Sequence, residues 1–223
     1  MSDAQKEVAP FLLPHKPTAS YSKLFRHRDI TEAKRRHHAC TMSVLTKAVA
    51  NAARAYPLVA AKGVPNTCVP SELEVPGEGE VGVDVCYDHG REDTFSVITH
   101  SHADVRGLSD IDCEYRKKAG ILSRRSELSG KKYGGEGRIA LSNLGAYGIK
   151  SFSTICIEAH TAVMAFGEAT LWPVESTSGE LSAERFIECT LTADHRAVNG
   201  KEAAHFLQAA VSELASLAEE GGE

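Results

Sequence analysis

The sequence contains no Cys-x-x-Cys pair: its six cysteines, Cys40, Cys68, Cys86, Cys113, Cys156 and Cys189, are scattered. That spacing argues against a structural zinc site and for free thiols in a reducing compartment. No apolar run approaches the ~18 residues that a membrane span needs, so no membrane partner is expected. The opening MSDAQKEVAP has neither the basic-then-apolar layout of a secretory leader nor the arginine-rich amphipathic character of a transit peptide. A cytoplasmic location is therefore expected, with the mitochondrial matrix as the alternative for a processed form. Positive charge is not in excess either. The net charge of −5 argues against nucleic acid as the principal partner. Internal repeats, low-complexity tracts and interdomain linkers are likewise missing. What remains is a 223-residue chain, 42% hydrophobic and 25% charged, with the size and composition of one soluble domain and a substantial core.

Residues 1–20 are expected to be a flexible lead-in, because Pro10, Pro14 and Pro17 oppose regular structure. Residues 21–218 then form the single domain, and 219–223 an acidic tail. TMSVLTKAVANAARAYP predicts a helix: Val44/Leu45, Ala48/Val49 and Ala52/Ala53 recur at helical spacing, Thr41 or Ser43 can cap the start, and Pro57 ends it. VGVDVCY, DHGRED and TFSVIT read as strand, turn and returning strand. A basic helix is expected from Ser109 to about Lys132, then short strands around RIALS, STICI and TAVMAFGEA. Ile187, Cys189, Leu191 and Ala193 alternate with Glu188, Thr190, Thr192 and Asp194, the pattern of a half-buried strand. The last helix carries Ala203, Phe206/Leu207, Ala210/Val211, Leu214 and Leu217 on one stripe. These elements predict a mixed α and β fold, with a largely mixed or antiparallel sheet covered by helices.

Between that last strand and that last helix lies TADHRAVNGKEAAHFL, where Asp194, His195, Arg196 and Asn199 gather. Asn199 followed three residues later by Glu202 has the form of a capping box, a structural role that needs no chemistry. A lone histidine in a strand-to-helix loop is more often solvated or packed than catalytic. Its companions change the reading.

LTADHRAVNGKEAAHFL resembles the His-containing signature of the dihydrolipoyl acyltransferases, the core components of 2-oxo acid dehydrogenase complexes. That signature is Asp-His-Arg, two apolar residues, Asp or Asn, then Gly and a helix. RIALSNLGAYGIKSFSTICIEAHTAVMAFGE is similar to the family's Ser-Asn-Leu-Gly segment and the strands after it, and LTKAVANAARAYPLVAA resembles its first core helix. The resemblance spans about residues 20–218. It implies an α/β two-layer sandwich with the CoA-dependent, chloramphenicol acetyltransferase-like fold, and acyl transfer between coenzyme A and a dihydrolipoyl-type thiol. It also implies a homotrimer whose active sites lie between subunits, with the histidine from one chain and the serine from its neighbour. On that resemblance His195 is the general base, Ser142 the oxyanion-stabilising serine, and Asn199, with Arg196, holds the loop; Asp194 is structural. No residue is assigned to coenzyme A binding.

The chemistry suits these residue types. A free thiol titrates near ~8.5 and an imidazole near ~6.5, so complete proton transfer costs only about 2.7 kcal/mol. A neutral histidine can thus activate a thiol without a strong carboxylate partner, and one oxyanion donor is typically worth ~10²–10³ in rate. No metal is required.

The departures from the family are specific. The chain carries no lipoyl domain, peripheral-subunit-binding domain or long linker, so a lipoyl group would have to arrive on a partner, a lipoyl carrier domain or a 2-oxo acid dehydrogenase complex. The arm before the first core strand is short, Ala159-His160 stands where a Pro-Pro pair is frequent, and Asn199 replaces the commoner Asp. After Leu217 the sequence AEEGGE offers no apolar anchor of the kind that joins the family's trimers into cages, so assembly is expected to stop at the trimer. Two rival functions are a catalytically silent assembly homologue and a small-molecule O-acetyltransferase.

Two other stretches compete. ITHSHADVRGLSD resembles a Thr-His-x-His-x-Asp-His metal motif, with His100, His102 and Asp104 in place but Val105 where its last histidine belongs, and no metal is expected there. FRHRDITEAKRRHH and RKKAGILSRRSELSGKK are basic. They read as solvated faces, with contact to coenzyme A phosphates or to an acidic carrier domain as the alternative.

Overall fold

The computed structural model describes residues 18–63, 73–88, 95–124, 136–156 and 160–220. Strand β1 (Thr18–Arg26) leads directly into helix α1 (His27–His37), and α2 (Thr41–Ala55) follows. A 3-10 turn (Pro57–Ala60) and two short strands, β2 (Lys62–Gly63) and β3 (Leu73–Glu74), precede the antiparallel pair β4 (Val83–Asp88) and β5 (Phe95–His100). Then come helix α3 (Leu108–Arg124), β6 (Ile139–Asn143), a second 3-10 turn (Gly145–Tyr147), the long strands β7 (Ala162–Glu175) and β8 (Leu181–Asp194), and helix α4 (Gly200–Glu219). Six strands form one sheet in the order β1-β8-β7-β6-β4-β5. Strand β6 runs parallel to both neighbours and every other pair is antiparallel, so the sheet is mixed, as the hairpin signals predict.

Strand alternation sorts the side chains between two faces. Val83, Leu141, Met164 and Leu191 point to the helices, where they join Leu45 of α2 and Phe206 of α4 in the main core. On the opposite face a small cluster forms from Ala140, Cys156 and Val163. There the polar side of β8 is covered rather than solvated. Thr190 and Thr192 are buried, and their hydroxyls bond Ser22 and Ser20 of β1 at 3.1 and 3.2 Å. A strand that reads as half-buried is therefore buried on both sides near its end.

Three expectations need correction. Strand β1 starts at Thr18, inside the stretch read as a lead-in, because Thr18–Arg26 pairs along β8 from Asp194 to Phe186. The STICI segment forms no strand over its described residues, 153–156. Cys156 instead lies over the sheet face with Ala140 and Val163, its thiol 3.3 Å from the Thr192 carbonyl, after Ile149 and Lys150 have crossed Gly167, where the Glu168 amide donates to the Ile149 carbonyl at 2.8 Å. Neither Thr41 nor Ser43 caps α2. Cys40 is the cap residue, and the buried Asp112 carboxylate accepts its amide at 2.7 Å. The basic FRHRDITEAKRRHH stretch is mostly helix α1, with Ile30 and Ala33 buried and Arg28 and Arg35 exposed on the solvated face expected of it. Its last turn serves α4: His37 Nε2 lies 3.0 Å from the Leu217 carbonyl and Arg36 donates to that of Glu219 at 3.4 Å. Cationic and donor groups at a helix C-terminus satisfy its free carbonyls and oppose its dipole. In the second basic stretch, Arg116 pairs with Asp112 and Lys118 with Glu114; residues 125–132 of the expected helix lie outside the described residues.

Candidate functional site

Strand β8 ends at Asp194, and a tight turn carries the chain into α4. The Asp194 amide donates to the Thr161 carbonyl at 2.8 Å, and its own carbonyl accepts from the amides of Ala197 and Val198 at 3.0 and 2.9 Å. Its buried carboxylate accepts the Arg196 amide at 3.1 Å, Arg196 Nε at 2.9 Å and Nη2 at 2.7 Å. Asp194 and Arg196 thus lock the turn to itself, the structural role expected of both. Val198 is fully buried. His195 sits between these anchors and is exposed.

Asn199 begins the helix: its Oδ1 accepts the Glu202 amide at 3.0 Å. The capping half of its two expected roles is therefore realised. His195 and Asn199 lie on the same turn.

Ser142 is elsewhere. It sits half-buried on β6, and because its neighbour Leu141 enters the core, Ser142 faces the side of the sheet without helices. The register places Ser142 beside Ala165, and Ala165 beside Thr190. Ser142 thus stands two strands, about 10 Å, from β8 and about 13 Å along it from Asp194. The separation is ~16 Å at the backbone. His195 and Ser142 of one chain cannot act on the same atom. The loop after Ser142 is held by Asn143, whose Oδ1 accepts the Gly145 amide at 2.8 Å.

The His-x-His-x-Asp stretch does not converge. His100 is fully buried, with Nδ1 3.2 Å from Glu114 Oε2 and its ring stacked on Tyr115. Burial lowers its pKa below the ordinary histidine value. Burial would push the Glu114 carboxyl up, but bonds from Lys118 and Arg106 override it and hold it at about 2. His102 is exposed with φ 56°, bonded to the Gly79 carbonyl, and Asp104 accepts the Gly79 amide at 2.8 Å. Among the described residues no group of three His, Cys, Asp or Glu could hold a metal ion.

Two features of the site were not read from the sequence. One is the crossing at Gly145 and Gly167, where built Cβ atoms would lie 2.6 Å from the Gly167 carbonyl oxygen and 1.8 Å from that of Lys150. The other is a buried pair, His160 Nε2 and Asp84 Oδ2 at 3.1 Å, next in sequence to the Thr161 that holds Asp194.

A mixed six-stranded sheet with its helices on one face is a fold this chain shares with dihydrolipoamide acetyltransferases and with chloramphenicol acetyltransferase. The chain belongs to the 2-oxoacid dehydrogenases acyltransferase (catalytic domain) family, whose sequence profile matches residues 1–219. It is 32% identical over 111 residues to the dihydrolipoyllysine-residue acetyltransferase component of pyruvate dehydrogenase complex from Rickettsia bellii. That match covers 48% of this chain and 25% of the relative, so the chain spans about a quarter of that relative's length. In fold it is similar to a probable dihydrolipoamide acetyltransferase from Listeria monocytogenes, with a TM-score of 0.80 at 17% identity over 100% of this chain and 96% of that one. A dihydrolipoamide acetyltransferase from Azotobacter vinelandii superposes with a TM-score of 0.78 at 18% identity, covering 97% and 90%; the roles of a serine, a histidine and an asparagine in its catalytic mechanism have been investigated. Chloramphenicol acetyltransferase has the fold as well, with a TM-score of 0.63 at 13% identity over 96% of each chain.

Proposed function

We propose that this domain transfers an acyl group between coenzyme A and a dihydrolipoyl-type thiol, with His195 as general base and Ser142 as oxyanion donor. The observation that carries this reading is the family match over residues 1–219, which takes in both Asp194-His195-Arg196 and Ser142-Asn143-Leu144-Gly145. The serine, histidine and asparagine studied in the Azotobacter vinelandii enzyme follow one another in the same order, and at nearly the same intervals, as Ser142, His195 and Asn199. An exposed imidazole on a turn braced by Asp194 and Arg196 suits a base that must meet a substrate thiol.

The reaction is a thioester exchange. The His195 imidazole takes the proton of the dihydrolipoyl S–H, and the sulfur bonds to the thioester carbonyl carbon of acyl-CoA. The carbonyl oxygen gathers negative charge, which the Ser142 hydroxyl stabilises by donating to it. As the carbonyl reforms, the bond to the coenzyme A sulfur breaks, and the imidazolium returns its proton to that sulfur. No oxidation or reduction occurs, and the reverse direction uses the same groups. Asn199 and Arg196 keep the turn in place throughout.

The ~16 Å between Ser142 and His195 in one chain favours a site shared between copies. In the homotrimer that the sequence resemblance implies, one copy would supply the histidine and its neighbour the serine. The lipoyl group would arrive on a carrier domain of a 2-oxo acid dehydrogenase complex. Free thiols at Cys40, Cys86, Cys113, Cys156 and Cys189 fit the cytoplasm or an organelle matrix.

The test is direct: acetyl-CoA and longer acyl-CoAs are offered with dihydrolipoamide, and thioester formation is followed. Turnover with at least one acyl-CoA is expected. No turnover with any of them would leave a silent assembly homologue, and preference for an alcohol acceptor would point to an O-acetyltransferase.

A further inference from the structure

We infer that the buried Asp84–His160 pair is a positioning device for the histidine turn, acting through Thr161 on Asp194; this rests on His195 being the catalytic base. Asp84 and His160 are 2% and 1% exposed, and they come from β4 and from the residues just before β7. Both oxygens of the Asp84 carboxylate are used. Oδ1 accepts the Thr99 hydroxyl of β5 at 2.6 Å and the Gly137 amide at 3.2 Å, and Oδ2 faces His160 Nε2 at 3.1 Å. A carboxylate only accepts, so this ring nitrogen donates. One side chain thereby ties β4, β5, the entry to β6 and the entry to β7.

The next residue carries the constraint onward. The Thr161 hydroxyl lies 3.0, 3.1 and 2.9 Å from the carbonyls of Leu58, Val59 and Ala61, so its donor is held in a pocket of three acceptors. Its carbonyl accepts the Asp194 amide at 2.8 Å. Asp194 precedes His195 and closes the turn through Arg196, Ala197 and Val198. The path Asp84, His160, Thr161, Asp194, His195 therefore consists of two hydrogen bonds and two peptide links. A buried carboxylate left without its partner is costly, so the pair favours one placement of residue 160, and with it the register of Thr161 against β8. Catalytic geometry is sensitive to such placement: a 1 Å error can cost up to ~10²-fold in rate. The pair touches no substrate in this account. It acts on where the base stands.

The experiment compares His160→Leu with His160→Gln in the full-length protein. The glutamine amide nitrogen can reach the position of Nε2 and donate to Asp84; leucine cannot. Two readouts are taken under conditions where both variants are fully folded: steady-state transfer from acetyl-CoA to dihydrolipoamide, and hydrogen exchange of the Asp194 amide. His160→Leu is expected to lower kcat by ~10-fold or more with both KM values within about twofold, and His160→Gln to restore most of it. Asp194 amide exchange should accelerate at least about tenfold in His160→Leu while Leu191, deeper in β8, keeps its rate. If His160→Leu does not fold, Asp84→Ala, which removes the acceptor, takes its place, with the same directions expected. Unchanged Asp194 exchange, or a loss of activity that glutamine does not restore, would overturn the proposal. The exchange measurement does not depend on catalysis. Should His195→Ala remain active, the base assignment fails while the coupling between His160 and the turn is still decided.

Discussion

Replacing Gly167 by alanine tests whether the Ser142 loop depends on one close backbone crossing. An alanine Cβ at residue 167 would stand 1.8 Å from the Lys150 carbonyl oxygen, 2.5 Å from its carbon and 3.0 Å from the Ile149 oxygen. Ordinary contact begins near 3.4 Å, so the two backbones must part by about 1.6 Å. Neither partner is a flexible side chain, and β7 is held between β6 and β8. Gly167 lies where the β7–β8 register shifts, between Phe166 and Ala169, so the relief falls on that irregularity, on the loop that follows Ser142 and on the bond between Glu168 and Ile149. Overpacking of this kind typically costs about 1–3 kcal/mol, and losing a buried backbone bond adds about 1 kcal/mol. For a chain of this size each kcal/mol lowers Tm by about 2–4 °C, giving a fall of roughly 4–16 °C at fixed protein concentration. The control is Gly120→Ala in α3, where a new Cβ meets nothing within 4 Å. That change should raise stability by about 0.5–1 kcal/mol. Thermal unfolding of both variants decides the matter, with kcat measured below the transition. A Gly167→Ala protein with wild-type Tm and wild-type kcat would refute the crossing as a constraint.

If Ser142 is the oxyanion donor proposed above, Ser142→Ala should lower kcat by ~10²–10³ with little change in KM, as expected for a group used only in the transition state; a loss confined to KM would make Ser142 a binding residue. Asn199→Ala removes the acceptor for the Glu202 amide and should cost about 1 kcal/mol in denaturant unfolding, whereas Asn199→Asp should keep the cap; equal stability of all three proteins would contradict the capping role. Acid should weaken the fold in two stages. The His100 pKa is depressed by burial, so the folded state resists protonating it, and stability falls as pH drops below the unfolded histidine value of about 6.5. Glu114, held at about 2, adds stability that is present above the unfolded carboxyl value and is lost as pH falls from there toward about 2. Urea midpoints between pH 7 and pH 5 report the first stage, and His100→Leu should flatten them; a slope unchanged by that variant would exonerate His100.

Much of the fold was legible because local pattern and tertiary packing agree. The apolar stripes of α2 and α4, β4 and the core side of β8 bury most of the residues that periodicity selects, with Val211 and Tyr87 only partly buried. Strand β1 and helix α1 were not legible. Strand β1 mixes Ser and Lys with Tyr21, Leu24 and Phe25, and α1 buries only Ile30 and Ala33 beneath a basic surface whose last turn serves another helix. The STICI segment has strand propensity, but Cys156 packs over the face of the sheet against Ala140 and Val163, which no local pattern can reveal. At the site, His195, Asn199 and the Asp194–Arg196 lock lie within six residues, so the motif contains them all. The distance from His195 to Ser142 is a matter of strand order. The Asp84–His160 pair joins residues 76 apart in sequence, and His160 bears no local signal beyond its type.

Complementation between two inactive variants tests the central claim most directly. Ser142→Ala and His195→Ala chains are purified separately, mixed under conditions that exchange subunits, and assayed for acyl transfer from acetyl-CoA to dihydrolipoamide. If each site takes its histidine from one chain and its serine from the next, random mixing at equal amounts rebuilds wild-type sites in about one quarter of the positions of a cyclic trimer. The account predicts activity approaching that fraction of wild type from two proteins that are nearly inactive alone. A mixture no more active than the sum of its parts, in trimers shown to have exchanged, would contradict a shared site built from Ser142 and His195.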